Sequence, residues 1–517
     1  MVSNALSEIQ WAPTDALNEG EKFKNRWVEP DRIKQCVMAD CWLISGEKGS
    51  GKSAIRVAVR NQYIKNRDIV REIDFKDISF SATAQNIADI ARTTNLESMT
   101  LLSNAWQYII MSQAISACAE SFPKSYGEYL HSLKIEGYNK EEAAHGFFNI
   151  IENMWNKIDN FTRSNSSANI LLSGSVSAKI LSDIRIFPLS MEFRKLRSLF
   201  FSTLEKLNHN VVVIIDGLDQ ISKRNVDVDD LNTIFEGLAD AALRIKGYES
   251  LPDGFNLKII IPHDRYMRME NGDLDKISPM HESIWWDREA LEDFVKKRIQ
   301  ASSGAIGGTF ESLWNRYLPS TVKNTRNGND EDTFAYIVRH SMNRPRDIQD
   351  HLIGLSKKYY GRKIEPAMVS KSVSETSRVA AENWYREYKL DFPSLRDFVS
   401  AFYKGPNIFT AREMRERVRS FLRKNRQASS EYDVNLAVES LYQMGLFGVV
   451  NKIEHGDERR GDYYPPCRTG ERYRFDFYFK DHANLVASRI LDDEEVALHP
   501  IFNEELKLRT DLDRIVG

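Results

Sequence analysis

The sequence has few cysteines, no excess of charge of one sign and no long hydrophobic run, and each absence excludes a class of protein. Its 517 residues include four cysteines, at positions 36, 41, 118 and 467, and none of these are spaced as metal ligands. A chain of this length does not need disulfides, so we expect reduced thiols. Lys and Arg number 71 against 74 for Asp and Glu. This balance excludes a global attraction to nucleic acid but leaves a local basic patch open.

Membrane association is also not expected. No apolar run approaches the roughly 20 residues that a membrane span requires. The N-terminus lacks the basic start and apolar stretch of a signal peptide. Hydrophobic residues make up 42% and charged residues 28% of the chain, which is typical of a globular protein. We therefore expect a cytoplasmic protein with about two to four domains.

The most specific motif is a glycine-rich phosphate-binding loop. Residues Gly46, Glu47, Lys48, Gly49, Ser50, Gly51, Lys52 and Ser53 match the pattern G-x-x-x-x-G-K-[ST] in full. Such a loop points backbone N–H groups at phosphate, and the following helix adds its positive N-terminal end. A strand is predicted before the loop (39–45) and a helix after it (53–66). The motif therefore predicts binding of ATP and Mg²⁺ by the loop and Ala54, with Lys52 on the β- and γ-phosphates and Ser53 on the metal.

A second strand predicts the acidic partner of this loop. Residues 211–215 are a β-branched and apolar run, the mark of a parallel strand covered on both faces. The run delivers Asp216 to the carboxyl end of the strand, where we expect it to hold Mg²⁺ through water. Asp219 either orients a water or supports the metal near the γ-phosphate, or it caps the loop. Position 220 is glutamine where many such ATPases have a carboxylate that activates water, which predicts slow hydrolysis.

Three polar residues farther along are candidates for reading the γ-phosphate. His263 follows a predicted strand at 257–261, and it either senses the γ-phosphate or the attacking water or ends the strand in solvent. Arg344 and Arg346 flank Pro345, a proline that stops or starts a helix. Either arginine can reach back to a phosphate as a fixed charge, or both lie in solvent at a helix end.

The order of predicted elements gives the domain organisation. Further strands are predicted at 69–75 and 282–286, and strands that alternate with helices indicate a parallel sheet of the α/β class. We predict a lead-in over 1–35, a P-loop ATPase domain over 36–302 with a helical insert at about 86–208, a helical block over 303–384 and a last domain over 385–517. A linker is expected between about residue 358 and the last domain.

The last domain resembles a winged helix. Helices are predicted at 394–403, 411–424 and 434–444, followed by strands at 447–453 and 473–479. The apolar face of the third helix is assigned to Leu436, Val438, Leu441 and Met444. The second helix is basic. Its cations are Arg412, Arg415, Arg417, Arg419, Arg423, Lys424 and Arg426. Residues 410–426 could therefore contact a nucleic-acid backbone, or they form a solvated face or a protein interface.

Taken together, these motifs resemble the AAA+/STAND group of ATPases. The Asp-Gly-Leu-Asp turn that begins at Asp216 is similar to that of NACHT-type switches, which usually carry glutamate where this chain has Gln220. From about residue 30 to 510 the chain also resembles a family of bacterial P-loop ATPases that have a tryptophan like Trp106 and a His-Pro pair like His499-Pro500. The resemblance implies a strand order of 5-1-4-3-2 and a role in antiviral defence. It also implies that the helical block over 303–384 is a helical lid.

The leading functional hypothesis is a Mg-ATP-binding switch ATPase that assembles as a homo-oligomer and controls a separate effector protein encoded nearby. The resemblance to AAA+ proteins implies an arginine that reaches a neighbour's nucleotide, with Arg265, Arg268 and Arg288 as candidates, each of which is also interpreted as a surface charge. The alternative is a DNA-dependent ATPase that grips duplex DNA through the winged helix. A small-molecule kinase is disfavoured by the lid, the winged helix and the long insert.

Overall fold

The computed structural model describes residues 5–11, 15–74, 98–121, 191–206, 209–217, 228–249, 251–269, 274–323, 330–389, 392, 394–427, 429–452, 473–477 and 490–508. The chain divides into two compact units. Asp31–Glu47 and Ile55–Ile284 form one, called here the sheet unit, and Met1–Pro30, Lys48–Ala54 and Trp285–Gly517 form the other, called the helical unit. The expected domain bounds at 35, 302 and 384 remain predictions.

The elements are numbered in chain order. The helices are α1 (Phe23–Arg26), α2 (Asp31–Val37), α3 (Lys52–Lys65), α4 (Ser98–Ser121), α5 (Met191–Lys206), α6 (Val228–Lys246), α7 (His263–Met267), α8 (Leu274–Ile277), α9 (Arg288–Ser303), α10 (Phe310–Trp314), α11 (Thr333–Arg339), α12 (Pro345–Lys358), α13 (Pro366–Glu387), α14 (Leu395–Ser400), α15 (Ala411–Lys424), α16 (Glu431–Gln443) and α17 (Asn503–Leu506). The strands are β1 (Leu43–Gly46), β2 (Ile69–Asp74), β3 (Val211–Asp216), β4 (Phe255–Pro262), β5 (His281–Ile284), β6 (Thr321–Lys323), β7 (Asp330–Asp332), β8 (Ile408–Thr410), β9 (Phe447–Lys452), β10 (Tyr473–Phe477) and β11 (Glu495–Leu498). Short 3-10 helices lie at Leu6–Glu8, Ala16–Asn18, Gly20–Lys22, Ser278–Met280 and Pro500–Phe502.

A parallel sheet of five strands lies at the centre of the sheet unit. The strand order is β2-β3-β4-β1-β5, which is the expected order 5-1-4-3-2 counted from the opposite edge. Every residue of β3 is buried, as expected for a β-branched strand inside a parallel sheet. Because all neighbouring strands are parallel, the carboxyl ends of β1, β3 and β4 lie at one edge of the sheet.

Helix α4 packs on β2 and β3, and both α5 and α6 pack against α4. Trp106 on α4 is fully buried in their common core, so the tryptophan that carried the family resemblance has a packing role here. The remainder of the expected insert at 86–208 lies outside the described residues.

Strand β1 begins at Leu43, so the prediction that it began at residue 39 is wrong. The reason is a buried lysine on β4. The Lys258 ammonium donates hydrogen bonds to the carbonyls of Cys36, Met38 and Cys41. These carbonyls lie at the end of α2 and in the turn after it, so the backbone there is held by a side chain rather than by strand pairing.

The N-terminal segment packs within the helical unit. A buried ion pair joins Glu19 to Arg298 on α9 over 2.7 Å. The Gln349 amide on α12 donates a hydrogen bond to the carbonyl of Trp11. The residues before Pro30 therefore add to the core formed by α9 and α12, as expected of a lead-in packed on a core.

Helix α13 occupies the place where a linker was expected, and that prediction is wrong. Its buried residues Val369, Val373, Ala381 and Trp384 recur at helical spacing. Trp384 also donates a hydrogen bond to the carbonyl of Met444 over 2.7 Å. The opposite face of α13 is mostly polar. The average composition of segment 359–384 is therefore polar and does not show the apolar stripe.

The end of the chain contains α14, α15 and α16 with a four-stranded antiparallel sheet of order β10-β9-β11-β8. Strands β8 and β11 were not anticipated, because each is only three or four residues long. Leu436 was assigned to the apolar face of α16, and this is wrong: its exposed fraction is 52%. Val438, Leu441 and Met444 are buried as predicted, and Val434 is buried with them.

Helix α15 begins where the sequence predicts. Thr410 and Glu413 form a reciprocal capping box, and Met414, Val418 and Leu422 are buried at helical spacing. In the described residues, no helix has both the length and the apolar character needed to cross a membrane.

Candidate nucleotide site

The glycine-rich loop follows β1 directly, and α3 begins at Lys52, so the strand, loop and helix occur in the expected order. Gly49 and Gly51 adopt φ angles of 87° and 105°. Only glycine enters this region without strain, since it has no Cβ. These two glycines therefore allow the tight turn that brings successive N–H groups toward an anion.

Two groups of the helical unit hydrogen-bond to carbonyls of this loop. The indole Nε1 of Trp286 donates to the carbonyl of Ser50 over 2.7 Å. The backbone N–H of Arg346 donates to the carbonyl of Gly49 over 3.4 Å. A Cβ on Gly49 would lie 3.1 Å from the Cβ of Arg346, so the absence of a side chain there permits the close approach.

The side chains fit an anionic ligand in the loop. The Ser50 hydroxyl is buried and, among the described residues, has no hydrogen-bond partner. A buried hydroxyl without a partner is costly unless a ligand or water completes it. Ser53 supplies an oxygen of the kind that Mg²⁺ prefers.

The predicted lid arginines lie beside this loop. Pro345 occupies the first turn of α12 with Arg344 as the residue before it, so the proline starts a helix. Arg344 is buried, and its guanidinium donates to Glu387 at the end of α13 over 3.1 Å. Sequence reasoning missed Glu387, since nothing in a helix end of mixed charge marks this partner.

Asp347, in the first turn of α12, is an unusual carboxyl group. Burial raises its pKa to about 6, although the nearby Arg344 charge and the hydrogen bond from the backbone N–H of Met342 act in the opposite direction. Burial therefore outweighs two favourable interactions. The charge state of the segment beside the phosphate loop can change close to neutral pH.

In the sheet unit, Asp216 lies at the carboxyl end of β3 as predicted. One carboxylate oxygen accepts from the backbone N–H of Gly217 over 2.7 Å, and the other lies 3.5 Å from the guanidinium of Arg56. Arg56 is also paired with Glu72 on β2 over 2.7 Å. Asp216 thus supplies carboxylate oxygens of the type that suits Mg²⁺. Sequence reasoning missed Arg56 and Glu72, although Arg56 lies only three residues after Ser53.

His263 belongs to a buried polar cluster at the same edge of the sheet. Its Nδ1 lies 3.0 Å from the hydroxyl of Ser45, which is also 2.9 Å from both Ser283 and the Nε2 of His281. Burial, followed by the neighbouring His263, lowers the pKa of His281 to about 3. The imidazole of His281 is therefore neutral within this cluster, which joins residues of β1 and β5 to His263 after β4. The role of His263 as a γ-phosphate sensor remains a prediction.

Comparison with known proteins assigns two segments. Residues 39–229 match the KAP family P-loop domain. Residues 289–389 match the FunZ-associated C-terminal helical domain. The chain contains a P-loop NTPase domain. Its matched segment includes the glycine-rich loop and Asp216, and the second segment includes Arg344, Arg346 and Glu387.

Solved structures resemble the whole chain only distantly. The Orc1 protein of Aeropyrum pernix, in complex with DNA, is 13% identical, with 90% of this chain and 95% of that chain covered and a TM-score of 0.30. The Orc2 protein of Aeropyrum pernix, in ADPNP–ADP complexes, is 12% identical, with 94% and 95% covered and a TM-score of 0.33. No curated protein matches the sequence significantly.

Other residues of this P-loop NTPase were also predicted to act at a nucleotide site. Asp219 and Gln220 lie outside the described residues. Arg265 was interpreted as a surface charge, and this is wrong: it is buried, with Asp264 at 3.1 Å and Asn232 at 3.4 Å. Arg288 bridges Glu292 and Asp332 within the helical unit. Which arginine reaches a neighbouring protomer remains a prediction, with Arg265, Arg268 and Arg288 as the candidates.

Proposed function

We propose that this P-loop NTPase is a switch ATPase that binds Mg-ATP at residues 46–54 and transmits the nucleotide state to α12 and α13. One observation carries the proposal. The backbone N–H of Arg346, in the first turn of α12, donates a hydrogen bond to the Gly49 carbonyl of the phosphate loop. The adjacent Arg344 is paired with Glu387 at the end of α13. A displacement of the loop by phosphate would therefore act on both helices.

Each residue has a defined part in this function. Lys52 neutralises the β- and γ-phosphates, and Ser53 and Asp216 hold Mg²⁺, which polarises the terminal phosphate when bound. Asp219 orients the attacking water, and His263, Arg344 and Arg346 respond to the γ-phosphate. Because position 220 is glutamine, hydrolysis is slow, with turnover below about 10 per second, an ordinary enzyme rate.

The direct test is ATP binding by calorimetry with Mg²⁺. Lys52→Ala should weaken ATP binding by about tenfold to a hundredfold, since a hydrogen bond to a charged group contributes about 1.5–3 kcal/mol. Lys65→Ala is the matched control: Lys65 is an exposed lysine at the end of the same helix, α3, and lies outside residues 46–54. Equal losses in the two variants, or no loss with Lys52→Ala, would contradict the assignment.

The output of the switch is proposed to lie in other molecules. The sequence has no Cys/His pair, nuclease carboxylate cluster or Ser nucleophile motif, so a built-in effector is not expected. The protein would assemble as a homo-oligomer with ATP and control an effector protein encoded nearby, in the cytoplasm and in antiviral defence. The resemblance of its motifs to the STAND group and to ATPases of defence islands supports this part.

A DNA-dependent ATPase is the second candidate, supported by one exposed basic cluster. The three helices and antiparallel strands after residue 394 support a winged-helix-like domain. Arg423, Lys424 and Arg426 are exposed at the end of α15. Against this, Arg415 is paired with Asp492 and Arg419 with Glu416 and Glu431, so part of the basic face is neutralised.

Salt titration of duplex DNA binding distinguishes the two candidates. If the exposed cluster contacts phosphates, changing Arg423, Lys424 and Arg426 to Ala together should reduce the slope of log affinity against log salt by up to about 2.7, at about 0.9 per contact. A wild-type protein that shows no salt-dependent DNA binding would contradict the second candidate and leave the switch standing.

A further inference from the structure

Trp286 makes a short hydrogen bond to the backbone of the phosphate loop. Its indole N–H donates to the carbonyl of Ser50 over 2.7 Å, and a Cβ on Gly51 would lie 3.8 Å from its ring. The bonded carbonyl lies between Gly49 and Gly51, the two glycines whose φ angles bring N–H groups toward an anion. No motif assigns this residue a role.

The geometry of the peptide bond defines the consequence. A trans peptide is planar, so its carbonyl and its N–H point in opposite directions. An indole that holds the Ser50 carbonyl therefore holds the Gly51 N–H on the face turned away from Trp286. In the same way, the N–H of Arg346 holds the Gly49 carbonyl and so orients the N–H of Ser50.

The indole is itself held in place. Trp286 is 5% exposed, and its ring packs edge-on against Phe294 of α9 with centroids 6.0 Å apart. The next residue, Asp287, caps α9 by accepting from the backbone N–H of Ala290 over 2.8 Å. Trp286 therefore joins a rigid helix start to a loop whose own backbone is permissive at its glycines.

We propose that Trp286 is a positioning residue for the phosphate: its indole N–H, together with the backbone N–H of Arg346, holds the loop carbonyls outward so that Ser50 and Gly51 present their N–H groups to a di- or triphosphate. This inference rests on the proposed nucleotide binding at residues 46–54. The buried Ser50 hydroxyl, which has no partner among the described residues, lies at the same turn and fits a phosphate oxygen.

Trp286→Phe tests the inference because it keeps a ring and removes only the N–H donor and the second ring. The affinities for Mg-ATP and for inorganic tripolyphosphate should both fall about three- to tenfold and by the same factor, as expected for the loss of one neutral hydrogen bond. Trp384→Phe is the matched control. It removes a buried indole N–H with the same 2.7 Å bond to a carbonyl, that of Met444, and should leave both affinities unchanged.

The outcomes separate the inference from the nucleotide assignment. Unchanged affinities in Trp286→Phe, beside a large loss in Lys52→Ala, would overturn the positioning role alone. A loss for ATP without a loss for tripolyphosphate would also overturn it, because Trp286 would then recognise the base. No loss in Lys52→Ala would instead overturn the proposed function.

A second variant covers the case in which Trp286→Phe folds poorly. Phe294→Leu leaves the indole N–H in place and replaces the ring that holds it with a smaller apolar side chain, so we expect only a moderate loss of stability. We expect a smaller loss, about twofold, again equal for both ligands. Since a purely structural role would lower the fraction of active protein rather than the affinity, unchanged dissociation constants with fewer sites would contradict the inference.

Discussion

Asp347 shows how strongly the surroundings of single residues beside the phosphate loop alter their chemistry. Burial raises its pKa from 3.8 to about 6 even though Arg344 is near. Because the pKa in the folded state lies above the unfolded value, the fold favours the protonated form. The stability that this carboxyl group contributes is present below pH 4 and is lost as the pH rises through about 6.

Asp347→Asn should therefore stabilise the protein near neutral pH. At pH 7 the gain in the free energy of unfolding should be on the order of 1–3 kcal/mol, from the 1.36 kcal/mol that each pKa unit represents. The amide can still accept from the backbone N–H of Met342. Denaturant unfolding at pH 4 and pH 7 measures the difference, and a gain of equal size at both pH values would contradict the account.

The pairing of Arg344 with Glu387 gives a second prediction at this scale. Glu387→Gln removes the carboxylate charge, so Arg344 is held less strongly and its charge is more available to a γ-phosphate. The ratio of ADP to ATP dissociation constants should increase about two- to fivefold, a fraction of the effect of one charged hydrogen bond. Glu375→Gln, which breaks the pair with Lys358 between the same two helices, is the control and should leave the ratio unchanged.

Much of the site could be predicted from single residues, and the limits were physical. The loop, Asp216, Arg344 and Arg346 stand in local patterns whose chemistry depends on spacing along the chain. Three contacts of the site were missed because each joins residues that are far apart in sequence, so that only folding brings them together. They are made by Trp286, Glu387 and Arg56. The buried state of Arg265 was missed for the same reason.

At the scale of elements, Lys258 explains how the strand before the phosphate loop is placed. Burial lowers the pKa of this lysine to about 8, and its ammonium donates to the carbonyls that end α2. A fully buried side chain on β4 thereby orders the segment that leads into β1. The sequence of residues 39–42 predicted a strand. The hydrogen bonds from Lys258 hold the backbone before β1 in a turn instead, so the strand begins at Leu43.

Lys258→Met should destabilise the sheet unit. It leaves the carbonyls of Cys36, Met38 and Cys41 without their donor, and one unsatisfied buried polar group costs about 1–3 kcal/mol. We expect a loss of about 2–4 kcal/mol in the free energy of unfolding. Lys246→Met is the control, since exposed Lys246 donates only to the carbonyl of Asp40 over 3.0 Å. Equal small losses in the two variants would contradict this role.

The sequence pattern predicted those elements that are buried throughout or along one continuous face. β3 and α15 begin and end close to the expected residues. β8 and β11 have too few residues for a pattern. They pair with each other, and β11 also pairs with β9, only through the tertiary fold. Leu436 was misassigned because Val434, Val438 and Leu441 set the helical register instead.

At the scale of the whole molecule, the fold class was predictable, but the helix in place of the expected linker was not. The alternation of strands and helices indicated a parallel sheet, and the sheet is present. The expected linker is a helix, α13, whose last residues pack with the domain that follows, as Trp384 does with Met444. The lid and the last domain therefore share a core, which composition along the chain does not reveal.

We propose above all that ATP binding at the phosphate loop changes the assembly of the protein. Sedimentation mass in Mg-ATP, in Mg-ADP and without nucleotide tests it most directly, with Lys52→Ala measured in parallel. The account predicts a mass several times that of the 59.6 kDa chain in Mg-ATP for the wild-type protein, and a single chain in every condition for Lys52→Ala. A wild-type protein that binds ATP and keeps the mass of one chain would contradict it.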